Sequence, residues 1–318
     1  MAQDEFAIIR QYFSEIGEAR ADTVLGIGDD AAIIETMPGY QQVLSLDTLI
    51  TGVHFPHETA AADIGYKALA VNLSDLAAMA AEPAWFLLSL TLPDRDPDWL
   101  AEFSSGLRQA ASGCQLQLIG GDTCAGALSI SIQIIGQVPQ GQYVSRAGAK
   151  PGDLIVVSGQ LGNAGLGLAH LQATIELPAS LIDFCVGALN RPRPRLELSA
   201  FLRDYATAAI DLSDGLLGDL SHILKASGCG ARVDQSALPV SDYLREQGRY
   251  DLALGAGDDY ELCFTLPVKH AERIDDWNQH HPECPLSVIG EITDQGFTLK
   301  VGDQHLDVES ARGFRHFE

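Results

Sequence analysis

A glycine turn bearing two adjacent acids, Gly26-Ile27-Gly28-Asp29-Asp30, runs straight into the apolar stretch Ala31-Ala32-Ile33-Ile34. Glycine lets the backbone bend tightly and approach a ligand closely. Neighbouring carboxylates repel each other unless a cation lies between them. Acid-bearing segments of similar character return as Ser45-Leu46-Asp47-Thr48, Asn72-Leu73-Ser74-Asp75, Gly120-Gly121-Asp122-Thr123, Asp211-Leu212-Ser213-Asp214-Gly215 and Gly257-Asp258-Asp259-Tyr260-Glu261. Each acid is expected at the end of an apolar segment, beside small or hydroxyl residues. That is how oxygen ligands are presented to Mg²⁺. The pattern implies a Mg²⁺-dependent, nucleotide-using enzyme with a multi-metal carboxylate site.

Composition narrows the partners. The chain has 318 residues, a net charge of −23 and only 20 Lys+Arg. A nucleic-acid binder carries a basic face, so DNA, RNA and anionic membranes are excluded as expected partners. If the substrate is a phosphate compound, metal ions must do much of the neutralising. The six cysteines form no C-x-x-C pair and most sit in apolar surroundings, which reads as reduced core thiols in a cytoplasmic protein. No basic, apolar leader is evident at the N-terminus, and no stretch is long and apolar enough to span a bilayer.

Periodicity gives a mixed chain. Residues 3–17 read as an amphipathic helix, with Phe6, Ile9, Phe13 and Ile16 near helical spacing. Strands are expected at 31–34, 43–47, 85–92, 115–119 and 128–138, and helices at 59–81 and 97–113. The 59–81 helix is rich in alanine and sets Asn72 and Asp75 three residues apart on one face. The polar, turn-rich run Arg146 to Asp153 marks the expected boundary between a domain at 1–145 and one at 146–318. Beyond it come strands at 154–158, 206–212, 230–234 and 261–266 and a strand pair within 286–301. Helices are expected near 167–173, 179–190, 194–204, 215–227 and 268–279, with a helical turn at 251–255. The fold class is therefore α/β or α+β, in two domains.

Familiar nucleotide motifs do not fit. Gly26-x-Gly28-x-x-Ala31 formally matches a dinucleotide fingerprint, but a helix precedes it and Asp29-Asp30 would repel a bare pyrophosphate. The sequence has no P-loop and no protein-kinase H-R-D or D-F-G set. The glycine run from Gly159 to Gly167 reads either as a phosphate cradle or, more simply, as a tight turn packing a helix on a sheet. His54 and His57 lack the further ligands a zinc site needs, though His54 is close enough to Asp47 in sequence to face the same cavity.

Taken together, these motifs resemble the thiamine-monophosphate kinase family, part of a superfamily of ATP-using enzymes that includes aminoimidazole ribonucleotide synthetase and selenophosphate synthetase. The resemblance runs from Gly26-Ile27-Gly28-Asp29-Asp30-Ala31-Ala32 to Gly313-Phe314-Arg315-His316-Phe317. Between them it covers Asp47-Thr48-Leu49-x-x-Gly52-x-His54-Phe55, Asn72-Leu73-Ser74-Asp75-Leu76-Ala77-Ala78-Met79, Gly120-Gly121-Asp122-Thr123, Ser145-Arg146, Asp211-Leu212-Ser213-Asp214-Gly215-Leu216 and Gly257-Asp258-Asp259-Tyr260-Glu261.

The resemblance implies an aminoimidazole-ribonucleotide-synthetase-like fold of two α/β (α+β) domains, with N-terminal sheets pairing in a homodimer. It implies ATP and thiamine monophosphate as substrates, with several Mg²⁺ ions. Asp30, Ser45, the main chain of Leu46, Asp47, Asp75, Asp122, Asp211 and Asp214 would ligate Mg²⁺, and Asp47, Asp75, Asp122 and Asp211 would be central to catalysis. Gly121, Asp122, Arg146 and Ser213 would contact ATP. His54, Glu261 and Phe317, or Phe314 in its place, would line the thiamine phosphate pocket. Two other readings stay open: a different ATP-dependent synthetase of the superfamily, and a nucleotide- or metal-binding regulator without turnover.

Overall fold

The computed structural model describes residues 5–308. Two compact units form. One runs to Leu76 and resumes over Ala81–Gln142; the other takes Ala77–Ala80 and the chain from Tyr143 onward.

The first unit begins with a short helix, α1 (Glu5–Ile8), continued by a wide helical turn over Ile9–Phe13. The expected helix over 3–17 is thus cut short, and Gly17, at φ +85°, lies against the carbonyl of Leu116, where a Cβ would come within 1.9 Å. A small hairpin follows, β1 (Thr23–Leu25) with β2 (Ile33–Ile34). Then come β3 (Tyr40–Ile50), α2 (Ala61–Ala78), β4 (Glu82–Leu92), α3 (Pro97–Ala111), β5 (Gln117–Ala125) and β6 (Ser129–Pro139). The four long strands form one sheet in the order β3-β6-β4-β5, with only β4 and β5 parallel.

Alternation along the strands sorts the two faces of that sheet. Leu88, Leu90, Ile130, Ile132 and Ile134 are buried together with Leu69, Leu73 and Leu76 of α2 and Phe103 and Leu107 of α3. Asp96 caps α3, accepting the N–H of Asp98 at 3.0 Å, with Pro97 at the first helical position. Trp85 and Ile135 belong to the other face, where Ala32 and Ile34 pack on them. Further along that face, on the edge strand β3, Leu44, Leu46 and Ile50 are exposed.

The two helices meet backbone to backbone. A Cβ on Gly65 of α2 would come within 2.1 Å of the Phe103 carbonyl oxygen, and one on Gly106 of α3 within 1.9 Å of the Ala62 oxygen. Only glycine permits that approach.

The second unit carries β7 (Asp153–Ser158), α4 (Asn163–Leu171), α5 (Ala179–Asn190), α6 (Ser199–Tyr205), β8 (Ala208–Asp211), α7 (Leu216–Ser227) and β9 (Gly230–Asp234). It continues with α8 (Asp242–Glu246), α9 (Tyr250–Gly255), β10 (Leu262–Pro267), α10 (Glu272–His280), β11 (Leu286–Thr293), β12 (Phe297–Val301) and β13 (Gln304–Asp307). Its seven strands are ordered β13-β12-β9-β11-β7-β10-β8, and only β12 and β9 run parallel. Antiparallel pairs dominate both sheets, so of the two expected classes the chain is α+β. Ile155, Val157, Ile210 and Val233 bury one face with Leu166, Leu220 and Ile223. Val156, Ala209, Phe264 and Leu286 bury the other with Phe201, Leu202 and Ile274.

The glycine contacts give a direct test. Gly106→Ala should cost about 1–3 kcal/mol, because backbone must move to admit the methyl. Gly187→Ala, in α5 with nothing within 4 Å of its would-be Cβ, should stabilise by about 0.4–1 kcal/mol. Chemical denaturation of both variants checks the pair; equal effects would refute the close-approach account.

Candidate active site

In the first unit, β3 and α2 bring three predicted residues together. Ser45, Asp47 and Leu49 alternate onto the helix-covered face of β3. Asp75 stands on α2, and the Ser45 hydroxyl donates to its Oδ2 at 2.5 Å. Burial, and then the nearby charge of Asp75, push the Asp47 carboxyl up from 3.8 to about 6. Asp47 is not at a strand end as expected, because β3 continues to Ile50.

This donor set fits Mg²⁺. Two carboxylates and a hydroxyl are hard oxygen donors, and burial together with the charge of Asp75 disfavours the ionised form of Asp47 that a cation would stabilise. Among the described residues no three His, Cys, Asp or Glu side chains form a metal cage. Mg²⁺ is commonly held by one or two carboxylates, the remaining positions going to water and substrate phosphates.

Other predicted residues of this unit lie apart from that pair. The Gly120-Gly121-Asp122 motif was expected after a strand but lies inside β5. Gly121 is opposite Leu88, and a Cβ there would come within 1.8 Å of the Leu88 carbonyl oxygen. Asp122 lies opposite Ser89, in the row with Ser131 and Thr48. Alternation therefore turns Asp122 to the sheet face opposite Asp47. Leu46 is exposed on that same face. Asp30 lies exposed on its glycine turn, where its N–H donates to Asp29 Oδ1 at 2.8 Å.

His54 occupies the turn after β3. Its Nδ1 accepts the N–H of Ile50 at 3.0 Å, which puts the proton of a neutral ring on Nε2. Its carbonyl accepts from Lys67 Nζ at 3.2 Å, and Lys67 is only 2% exposed.

The second unit stitches two motifs side by side. Asp211 ends β8 and is buried. The N–H of Leu212 donates to the Glu261 carbonyl at 2.8 Å, Tyr260 N–H to Leu212 O at 2.9 Å and Asp258 N–H to Ser213 O at 2.9 Å. Asp258 and Tyr260 hold positive φ of 61° and 48°, uncommon for such residues and costly without support. Arg146 is exposed on a loop whose carbonyl accepts from Ser227 Oγ at 3.3 Å.

Glu261 is buried and fully engaged. Arg195 forms a bidentate pair with it through Nε at 2.7 Å and Nη2, and Ser158 Oγ donates to it at 2.5 Å. The Glu261 side chain also fills the space beside Gly159, where a Cβ would come within 2.0 Å of its Oε1. Asp259 points to the start of α4, both its oxygens accepting the Gly162 N–H at 2.9 Å. A carboxylate already occupies the place where the glycine run would have held a phosphate. Gly165 and Gly167 instead pack closely against Ala256 and Cys185. The run serves as a turn and a packing surface.

Phe317 and Phe314 lie outside the described residues. Sequence reasoning missed Arg195, Ser158 and Lys67, whose partners are remote in sequence. It also missed Asp219, whose first-turn position in α7 was the available signal.

The model of the AIR synthase related protein N-terminal domain matches residues 28–138, and that of the C-terminal domain matches residues 150–302. The thiamine-monophosphate kinase of Escherichia coli (strain K12) is 46% identical over 298 residues, 92% of this chain and 91% of that protein. The chain belongs to the thiamine-monophosphate kinase family. The crystal structure of the family member from Stenotrophomonas maltophilia K279a superposes with a TM-score of 0.83 at 45% identity, over 88% of this chain and 92% of that one. The solved complex of AaThiL with AMPPCP and TMP superposes at 0.75 with 30% identity, over 89% of this chain and 91% of that one.

The paired acids predict a pH effect. The folded value near 6 exceeds the usual 3.8, so this site's contribution to stability is complete below 3.8 and lost as pH rises through 6. Metal-free protein should lose melting temperature between about pH 4 and 6 and hold level above that, and Mg²⁺ should restore it at pH 7. Asp75→Asn should lessen the loss without abolishing it, because burial alone still raises Asp47. Melting curves with and without Mg²⁺ check this; identical curves would remove the pair from metal binding.

Proposed function

We propose that this chain transfers the γ-phosphoryl group of ATP to thiamine monophosphate, giving ADP and thiamine diphosphate. The observation that carries the reading is the likeness, over most of the chain, to a protein solved with both an ATP analogue and TMP. The acid pair Asp47–Asp75 supports it from the chain's own geometry.

The chemistry asks little covalent help from the protein. The attacking phosphate oxygen is largely ionised at neutral pH, its second pKa being about 6, so no general base is required. That oxygen forms a bond to Pγ as the bond from Pγ to the bridging oxygen breaks, and ADP keeps the electron pair. The obstacle is bringing two polyanions together.

Asp30, Ser45, the Leu46 main chain, Asp47, Asp75 and Asp122 in the first unit, and Asp211 and Asp214 in the second, are the residues we assign to Mg²⁺. When bound, Mg²⁺ supplies positive charge against the phosphates and the transferring group. Ser45 fixes the Asp75 carboxylate, and the rigid α2 keeps it near Asp47. Arg146, with Gly121, Asp122 and Ser213, is assigned to ATP; a guanidinium suits bidentate phosphate contact. His54, Glu261 and Phe317 are assigned to the acceptor pocket. Glu261 would act there through its pair with Arg195, since both carboxylate oxygens are already engaged.

Two finer assignments belong to the same reading. A homodimer through the first unit's sheet is supported by the exposed Leu44, Leu46 and Ile50, apolar surface of the kind that marks an interface. A cytoplasmic setting is supported by six free cysteines. Among the described residues no helix is long and apolar enough to cross a membrane.

A coupled ADP-release assay with ATP and Mg²⁺ tests the function. ADP should form with thiamine monophosphate and match thiamine diphosphate one for one. Silence with this acceptor would overturn the reading. Asp47→Asn and Asp75→Asn should each lower turnover on the order of 100-fold with folding intact, the upper end of what disturbed metal shells cost. Transfer should be direct, so no ³²P-labelled protein should accumulate with labelled ATP; a stable phosphoprotein would refute direct transfer.

A further inference from the structure

A buried carboxylate of the second unit has no part in the chemistry above. Asp219, in the first turn of α7, is 3% exposed. Its Oδ2 accepts the backbone N–H groups of Asp214 at 3.0 Å and Gly215 at 3.1 Å. Asp219 lies inside the helix, beyond the Gly215 cap, and reaches back to these two N–H groups.

The far end of the same helix holds the loop that bears Arg146. Ser227, the last residue of α7, accepts the N–H groups of Gly148 and Ala149, both at 3.1 Å, and donates to the Arg146 carbonyl at 3.3 Å. The Ser213 loop is also closed off on its other side. A Cβ on Gly215 would come within 2.7 Å of Gly255, and Asp258 N–H donates to Ser213 O. Asp219 is thus a charged side chain that holds the Asp214-Gly215 backbone directly.

We propose that Asp219 is a positioning residue for nucleotide binding. It fixes the Ser213-Asp214-Gly215 backbone on the first turn of α7 through the two N–H groups it accepts, while Ser227 holds the Arg146 loop at the other end of the helix. Both segments are thereby set before the polyphosphate arrives. The inference rests on the assignment of Ser213, Asp214 and Arg146 to ATP and its metal.

The test compares Asp219→Ala and Asp219→Asn with Ile223→Val, a core change one turn further along α7. Asp219→Ala should raise KM for ATP about tenfold, as lost outer-shell partners commonly do. It should weaken Mg–AMPPCP in calorimetry by a similar factor and leave KM for thiamine monophosphate within about twofold. Asp219→Asn, which keeps an acceptor without the charge, should fall between wild type and Asp219→Ala. Ile223→Val should lower the melting temperature without changing either KM. Unchanged ATP and AMPPCP values in the Asp219 variants would overturn the proposal. So would an equal rise in both KM values, or the same rise in Ile223→Val. If Asp219→Ala does not fold, Asp219→Asn is judged by the same criteria. Wild-type protein that binds Mg–AMPPCP but forms no thiamine diphosphate would overturn the acceptor reading alone, leaving the calorimetric comparison to decide on Asp219.

Discussion

Two carboxylates fixed on different elements cannot relax away from each other. Asp47 stands in the middle of a strand bound to its neighbour along its whole length, and Asp75 on a helix buried from end to end. Ser45 bonds Asp75 and leaves the repulsion in place. The chain stores that repulsion in its rigid parts; a proton on Asp47 relieves it, and in the proposed function a Mg²⁺ ion would do so at neutral pH. A flexible loop would have spread the acids apart and lost the affinity. The long β3 and the close-packed α2 are in this sense requirements of the site.

Two acids of the second unit, Glu261 and Asp259, are held in another way. Glu261 is balanced from within by Arg195 and Ser158, and Asp259 accepts the Gly162 N–H at the start of α4 while burial holds its carboxyl well above the usual carboxylate range. Breaking a buried pair of this kind strands a charge and is severely destabilising. Glu261 is thus satisfied by the chain itself, whereas Asp47 and Asp75 are the pair we assign to Mg²⁺. Asp258 and Tyr260 keep their unusual backbone because the Ser213 strand end bonds on one side and the engaged Glu261 and Asp259 anchor the other.

Most elements and the acid-bearing motifs were legible in the sequence. Apolar runs with clear periodicity gave β4, β6, α2, α3 and α7 close to their observed bounds, and the recurring acids pointed to metal and phosphate chemistry. The failures have particular causes. Gly120-Gly121-Asp122 looks like a turn because glycine and aspartate mark turns. Gly121 is needed instead because the β4 backbone passes too close for a side chain. β3 ran longer than expected because Thr48 and Ile50 continue pairing with β6, a partner some 80 residues away. The choice between cradle and packing turn at Gly159–Gly167 depended on Asp259, 97 residues from Gly162, and no local signal reports such a partner. Asp219 went unremarked because its burial comes from tertiary packing.

Gly65 and Asp75 share one helix, ten residues or roughly 15 Å apart along its axis. The backbone contact at Gly65 and Gly106 acts as a mechanical stop that sets the rotation and depth of the whole rod. The aim of Asp75 is thereby indexed at a distance, by residues with no charge and no side chain. Inherited or engineered defects in this chemistry need not touch an acid at all. A methyl group two or three turns away, invisible to any map of ligand contacts, is enough to turn the carboxylate off its target.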